Sequence, residues 1–411
     1  MNVLSRRTAV VVFLAFAFAY FFSALVRAIT ATLAPTLTQE FALNARDLGL
    51  LAGGYFFGFA ATQLPLGTWL DRHGPKKVIL CFLLIAVAGC LAFSAATSFS
   101  GLLAARVMCG VGVSACLMAP LTGFRRWLAP ATQLRANSWM LMTGSFGMVA
   151  STLPVQWLVP VVGWRPLFWG LAGLIGVSMA VIAWKVPRWQ APPAAAPGAP
   201  KNEGAPAGYA EVWKHPYFRR MTPIGFFSYG GMIAIQTLWA GPWLVRVTGY
   251  APLEAAAGLF TINVAMLCTF WSWGMLNPWL ARNGITTDRL ITWGLPWSLA
   301  VLAMIIIAGP AAGAAAWAVF CISSTFVSLS QPAVAMVFPP ALAGRALSAY
   351  NLVIFGGVFV MQWGIGLLID GFGAAGLAEV ASFRAAMGVF LLCSTASYGY
   401  FLLAKSHNRP Q

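Results

Sequence analysis

The chain is predicted to be an all-α integral membrane protein of twelve transmembrane helices, arranged as two pseudo-symmetric six-helix bundles. Three observations predict this. Hydrophobic residues make up 60% of the 411 residues and charged residues only 8%, against about 25% charged in a soluble domain. Apolar runs of about 20 residues recur along almost the whole length, each enough to cross a ~30 Å hydrocarbon layer as a helix. Finally, Pro65-Leu66-Gly67-Thr68-Trp69-Leu70-Asp71-Arg72-His73-Gly74 returns in degraded form as Met275-Leu276-Asn277-Pro278-Trp279-Leu280-Ala281-Arg282-Asn283-Gly284. The same offset pairs Arg135-Ala136-Asn137-Ser138 with Arg345-Ala346-Leu347-Ser348, which marks a duplicated half. Lipid offers the backbone no hydrogen-bond partners, so only helices or a closed barrel can span it. These runs are too long and too uniformly apolar for barrel strands.

The first span, 8–37, follows Arg6-Arg7 and has the look of a signal peptide. It is too long for one, lacks a good cleavage site and has a repeat partner in the second half, so it is expected to stay as a membrane helix. The second, 47–70, carries Gly53-Gly54 and Gly58 and runs into the charged loop at Asp71. The third, 77–98, starts behind Lys76-Lys77; the fourth, 101–124, holds Gly110 and Gly112 and stops at Arg125-Arg126. The fifth and sixth cover 136–160 and 164–186. Residues 187–217, rich in proline, alanine and glycine, cannot bury a core and read as a flexible cytoplasmic linker, its last part from Tyr209 to Tyr217 forming a short interfacial helix. The domains are therefore expected at 1–186 and 218–411. The second half repeats the plan at 218–247, 254–280, 288–309, 312–338, 344–370 and 379–404, with Gly356-Gly357, Gly364 and Gly366 in its fifth span. Small residues let membrane helices approach closely. Prolines 35, 65, 120, 154, 242, 278 and 332 are expected to kink or end the spans near them.

The net charge of +16 does not point to nucleic acid, because no soluble basic domain is present to bind it. Most Lys and Arg fall in the loops on one side. Arg46, Arg165, Arg246 and Arg384 fall on the other, and Arg27 and Arg106 lie within spans. That bias sets both termini in the cytoplasm. The seven cysteines (81, 90, 109, 116, 268, 321 and 393) sit in apolar runs without CxxC spacing and read as small core residues. Most of the eighteen tryptophans suit the interfacial belt.

Gly67-Thr68-Trp69-Leu70-Asp71-Arg72-His73-Gly74-Pro75-Lys76-Lys77 resembles the G-x-x-x-D-R-x-G-x-[RK]-[RK] signature of the major facilitator superfamily, between spans two and three. Arg106-Val107-Met108-Cys109-Gly110-Val111-Gly112 is similar to the family's R-x-x-x-G-x-G motif in the fourth helix, and Gly163-Trp164-Arg165 and Phe383-Arg384 sit where its sixth and twelfth helices often start. The second-half copy departs from the signature, with Ala281 in the place of Asp71. Asp71 can meet Arg125 or Arg126 at the end of span four and the positive N-terminal dipole of span eleven near Gly344-Arg345. The resemblance implies that Gly67, Asp71, Arg72, Gly74, Lys76, Lys77, Arg125, Arg126 and Arg345 form a latch that shuts the cytoplasmic side. It implies a conformational or proton-linked role for Arg106, which lies close enough to a span end to snorkel.

Arg27 points to the cargo. A charge inside a span costs at least ~2.5 kcal/mol and marks function by default. Tyr20, Ser23, Arg27 and Thr30 share one face of an otherwise apolar helix, and such a stripe suits a water-filled cavity in which a guanidinium offers a forked donor to a carboxylate or phosphate. Organic-anion branches of the family look similar there, although their second Arg, on the seventh helix, is replaced here by Gln236. Tyr229, Gln236 and Trp239 in span seven, Asn263 in span eight, and Asn351 and Gln362 in span eleven are further candidates; each of these types more often joins helices than binds ligand.

No Asp, Glu or His falls deep in a span, so no obvious mid-membrane proton site is present; three alternatives are that the cargo's own acid carries the proton, that Asp71 or Asp370 at a span end titrates, or that the protein exchanges anions or runs as a facilitator. No nucleophile–base–acid set, phosphate loop or metal-ligand spacing points to an enzyme, and no cofactor is expected. The reading is a secondary transporter of a small organic anion, an importer, acting as a monomer in a bacterial inner membrane. Its rivals are a proton-linked exporter of hydrophobic compounds, a soft-metal importer using Met108, Cys109, Cys116, Met118, Met266 and Cys268, and a non-transporting sensor.

Overall fold

In the computed structural model the described residues are 4–187 and 208–404, and they fold almost entirely into helices. Most of the predicted linker, including Arg188 and Lys201, lies outside them, as do Lys405 and Arg409. The first helix, Arg6–Phe41, has 36 residues, about 54 Å at 1.5 Å per residue. Ser5 caps its start, accepting from the Thr8 N–H at 3.4 Å. It runs through Pro35, which therefore does not end the span. The second rod is Ala45–Ala61 continued by Gln63–His73. It pauses at Thr62, whose hydroxyl donates to the Phe59 carbonyl at 2.9 Å, and stops at Gly74, whose φ of 78° suits glycine. Pro75–Ala95 and Phe99–Trp127 follow. The fifth span, expected as one rod, is two helices, Arg135–Ala150 and Leu153–Val162, bent by 44°; Pro154 sits in the first turn of the second piece, where its missing N–H costs nothing. Trp164–Lys185 completes this half.

A short helix, Tyr209–Lys214, leads into the second half. The seventh rod runs from Pro216 to Arg246 and contains two π-helical turns, Ile224–Tyr229 and Ile235–Trp239. Pro252–Arg282, Thr287–Ala308, Ala314–Val337, Pro340–Ala374 and Glu379–Leu403 complete the set. Among the described residues nine helices are long and apolar enough to cross a membrane, and the bent fifth span is a tenth. The interrupted second and seventh rods make twelve.

The outer surface is apolar. Trp157, Val161, Ile307, Leu392 and Leu403 are 61–82% exposed, the reverse of a soluble surface and suited to hydrocarbon. Cys81 and Cys268 are also exposed, so the expected core role holds for Cys90, Cys109, Cys116 and Cys321 but not for them. Trp239, Trp243 and Trp317 are fully buried rather than interfacial. The indole N–H of Trp239 donates to the Gln362 carbonyl and that of Trp243 to the Ala312 carbonyl, each at 3.1 Å, which supplies the partner a buried indole needs.

The halves meet where span two packs along span eleven, span one against span seven, and span five against span eight. Spans two and eleven run antiparallel and touch through backbone at one end. A Cβ on Gly49 would lie 2.3 Å from the Gln362 oxygen, and one on Gly366 would lie 2.3 Å from the Ala45 oxygen. Both distances are below van der Waals contact, so only glycine permits this approach. At the other end the fit is looser: the nearest atom to a Cβ on Gly67 is Ser348 Oγ, at 3.8 Å. The two ends are called below the Asp370 end and the Asp71 end.

Each half also repeats a clasp at its sixth helix. Arg165 donates to the Ala96 carbonyl at 3.2 Å, ending span three, and Arg384 donates to the Ile306 and Ile307 carbonyls at 2.7 and 3.2 Å, ending span nine. Cations at helix C-termini satisfy orphan carbonyls and the helix dipole together.

Candidate functional site

Arg27 projects from the middle of span one and is half-buried. Its Cζ stands 5.7 Å from the Phe59 ring centroid, and its Nε is buried without a hydrogen-bond partner. The phenols of Tyr55 and Tyr20 are its electrostatic neighbours, and Tyr229 of the second half faces the same charge. Tyr55, absent from the sequence-based candidates, organises the cluster. Its hydroxyl donates to the Ser23 carbonyl at 3.3 Å, while the Arg106 Cζ lies 5.0 Å over its ring. Tyr55 therefore separates two guanidinium groups.

Arg106 is fully buried and does not snorkel. Its Nη1 donates to the Val26 carbonyl at 2.9 Å, joining span four to the turn of span one beside Arg27. The Tyr55 ring face supplies a cation–π contact. Its Nε and Nη2 have no partner. An incompletely paired charge in such surroundings carries a penalty of several kcal/mol. The acids among the described residues lie at or near helix ends, so none of them neutralises this pair of cations. The cluster is an electropositive chamber with unused donors, and its chemistry fits an anion.

Of the polar stripe on span one, only Arg27 keeps exposure. Ser23 and Thr30 are buried at 1% and 2%, and Tyr20 at 6%; the Tyr20 ring packs over Gly144 of span five. The other candidates are engaged with protein. Gln236 Nε2 donates to Asn263 Oδ1 at 3.1 Å, and Asn263 Nδ2 to the Leu259 carbonyl at 2.9 Å. Gln362 Nε2 donates to Thr237 Oγ1 at 3.0 Å, leaving its own Oε1 buried and unpartnered. Asn351 accepts from Gln331 and donates to Gln63 Oε1 at 3.4 Å, across the two halves. Gln236, Asn263, Gln362 and Trp239 thus tie spans seven, eight and eleven, and Asn351 ties spans two, ten and eleven. Tyr55, Phe59 and Gln63 fall at intervals of four residues on span two; that stripe is the signal that points to Tyr55.

At the Asp71 end, Asp71, Arg72, Lys77 and Arg125 are exposed. The ion pairs seen among the described residues are Arg46–Asp47, Arg165–Glu40, Arg220–Asp288 and Arg246–Glu379; Asp71 is in none of them, so none of these pairs joins it to Arg125 or Arg126 as expected. Lys76 donates to the Val186 carbonyl at 2.7 Å, capping the sixth helix. Arg126 is half-buried, and Arg345 is a charged neighbour of Tyr209. At the Asp370 end a cavity of about 610 Å³ opens between the halves, lined by Thr38, Gln39, Trp239, Arg246, Asp370 and Glu379 among others. The described residues contain no group of three or more His, Cys, Asp or Glu placed to hold a metal ion.

The family model described as "Major Facilitator Superfamily" matches residues 16–361. The chain is 26% identical over 284 residues to a probable sulfoacetate transporter of Cupriavidus necator, covering 66% of this chain and 63% of that protein. It is 29% identical over 155 residues to a 4-hydroxybenzoate transporter of Pseudomonas aeruginosa, covering 36% of this chain and 33% of that one. The chain thus matches less than two thirds of the length of these curated relatives. Among solved structures, a D-xylose–proton symporter superposes with a TM-score of 0.77 at 12% identity, over 97% of this chain and 98% of that one, which shows a shared fold.

Proposed function

The chain belongs to the Major Facilitator Superfamily, and from that premise we propose that it is a secondary transporter that imports a small organic anion of carboxylate type by alternating access. The observation that carries this is the half-buried Arg27 guanidinium with its unpartnered Nε, ringed by Tyr20, Tyr55, Phe59 and Tyr229 from both halves. Arg27 holds the carboxylate, and the rings bracket its organic part. Tyr20 and Tyr229 belong to different halves, so a bound anion bridges the elements that must move. Arg106 holds the Arg27 turn through Val26 and adds a second positive charge. The relatives support an acidic cargo, since sulfoacetate and 4-hydroxybenzoate are both small anions. The protein lies in a bacterial inner membrane with both termini in the cytoplasm; the Lys/Arg bias supports that sidedness and makes the Asp71 end cytoplasmic.

Alternating access needs a latch at each end. Gly67, Asp71, Arg72, Gly74, Lys76, Lys77, Arg125, Arg126 and Arg345 serve the cytoplasmic one.

The test is a thermal-shift series on the purified protein with sulfoacetate and 4-hydroxybenzoate, repeated on Arg27→Gln. Stabilisation follows native-state binding alone. The wild type is expected to be stabilised by at least one of these anions and the variant by neither. Equal stabilisation of both proteins removes Arg27 from the cargo site.

A further inference from the structure

Asp370 ends span eleven in the second half, and its carboxylate reaches into the first. Oδ1 accepts from the Ala45 N–H at 3.2 Å and Oδ2 from the Arg46 N–H at 2.8 Å. Ala45 and Arg46 open the helix of span two, where backbone donors lack intrahelical partners. Asn44 caps the same turn by accepting from the Asp47 N–H at 2.8 Å. One acid therefore closes two orphan donors of the opposite half and faces the positive end of its dipole. Among the described residues no side-chain cation pairs with it: Arg46 pairs with Asp47 at 3.4 Å and Arg246 with Glu379 at 2.8 Å. The close approaches at Gly49 and Gly366 lie within the next two turns of these same helices, and the 610 Å³ cavity has Asp370 in its wall.

The register of the two helices extends this. Position 45 faces 366, 49 faces 362, 63 faces 351 and 67 faces 348. Continued by one turn, it brings Asp71 beside Gly344-Arg345, near the start of the helix Pro340–Ala374. Spans two and eleven thus each finish in an acid next to the other's beginning. The internal repeat does not produce this, since the repeat partner of Asp71 is Ala281.

We propose that Asp370 is the latch of the Asp370 end and works in opposition to Asp71. Its carboxylate clamps the first turn of span two in this conformation, in which Asp71 joins no ion pair among the described residues, and transport requires the two acids to exchange roles. The proposal rests on the alternating-access reading above, and its test needs no cargo. Spin labels are placed at Gln39 and Leu377 to report the Asp370 end, and at Thr68 and Gly344 to report the Asp71 end. The full chain carries these in nanodiscs, with exposed Cys81 and Cys268 replaced by serine, and distances are read by pulsed electron resonance. Asp370→Asn keeps the shape and one acceptor but removes the charge. It is expected to move the open-to-closed ratio at 39–377 roughly tenfold toward open and to shorten the 68–344 distance. Adding Asp71→Asn is expected to return the ratio toward the wild type, an outcome that a merely structural role would not give. Distributions in Asp370→Asn that match the wild type at both pairs overturn the proposal, as does a shift toward closure at 39–377. Equal anion stabilisation of the wild type and Arg27→Gln with an intact Asp370 response would remove the cargo site and leave the latch standing; loss of stabilisation in Arg27→Gln with no Asp370 response would leave the cargo site standing and overturn the latch.

Discussion

In the proposed reading, the Arg27 guanidinium and the Tyr55 phenol beside it carry the chemistry of this molecule. Arg27 was legible in the sequence because a charge in an apolar helix has no packing explanation. Tyr55 was missed: its spacing with Phe59 and Gln63 was a weak signal, and a tyrosine among Gly, Phe and Ala stands out only once its hydroxyl is found on the Ser23 carbonyl and its ring under Arg106. Asn263, Gln236 and Gln362 had the right composition for a cargo site, yet their amides pair with one another and with Thr237 and Leu259. Only long-range contacts separate these two kinds of polar residue. Tyr55→Phe removes one neutral hydrogen bond, so the affinity for the anion is expected to fall by about three- to tenfold in equilibrium binding, with the fold retained. Arg106→Met removes a buried charge with two unpartnered nitrogens. It is expected to keep or raise the melting temperature while lowering transport, because Val26 no longer anchors the turn that carries Arg27; a large fall in melting temperature would contradict this.

Helices and their contacts decide which parts move. Hydropathy located all twelve spans to within several residues, because the length of an apolar run is a local property. The break at Ser151 and Thr152 and the π-helical turns around Tyr229 and Gln236 were not legible, since they answer to packing across spans. Span two against span eleven is the tightest seam between the halves. Gly366→Leu is expected to wedge it apart at the Asp370 end and abolish transport while the protein still inserts, with loss of about 1–3 kcal/mol of stability; proteoliposome flux and thermal melting check it. The connecting helix responds to acid. Its His215 ring packs on Phe338 at 4.6 Å with Nδ1 unpartnered, and burial holds the imidazole below its ordinary value of 6.5. The docked form is fully favoured above that value. Below it the undocked histidine takes up the proton first, so docking weakens as pH falls. Hydrogen-exchange protection of Tyr209–Lys214 is expected to drop as pH falls below the ordinary value of 6.5.

At the scale of the whole molecule, two similar bundles enclose a cationic chamber, and the seam between them is tight at Gly49 and Gly366 and looser at Gly67. The duplicated architecture was visible in the repeat of Gly67–Gly74, whereas the backbone contact of spans two and eleven at Gly49 and Gly366 was not, because it is a property of both halves together. One claim stands above the others: Arg27 holds an anion that must cross. Uptake of labelled sulfoacetate and 4-hydroxybenzoate into proteoliposomes, compared for the wild type, Arg27→Lys and Arg27→Gln, tests it most directly. Loss of a charge-assisted hydrogen bond predicts uptake reduced about ten- to hundredfold in Arg27→Gln, with Arg27→Lys between the two. Uptake in Arg27→Gln equal to that of the wild type would contradict it.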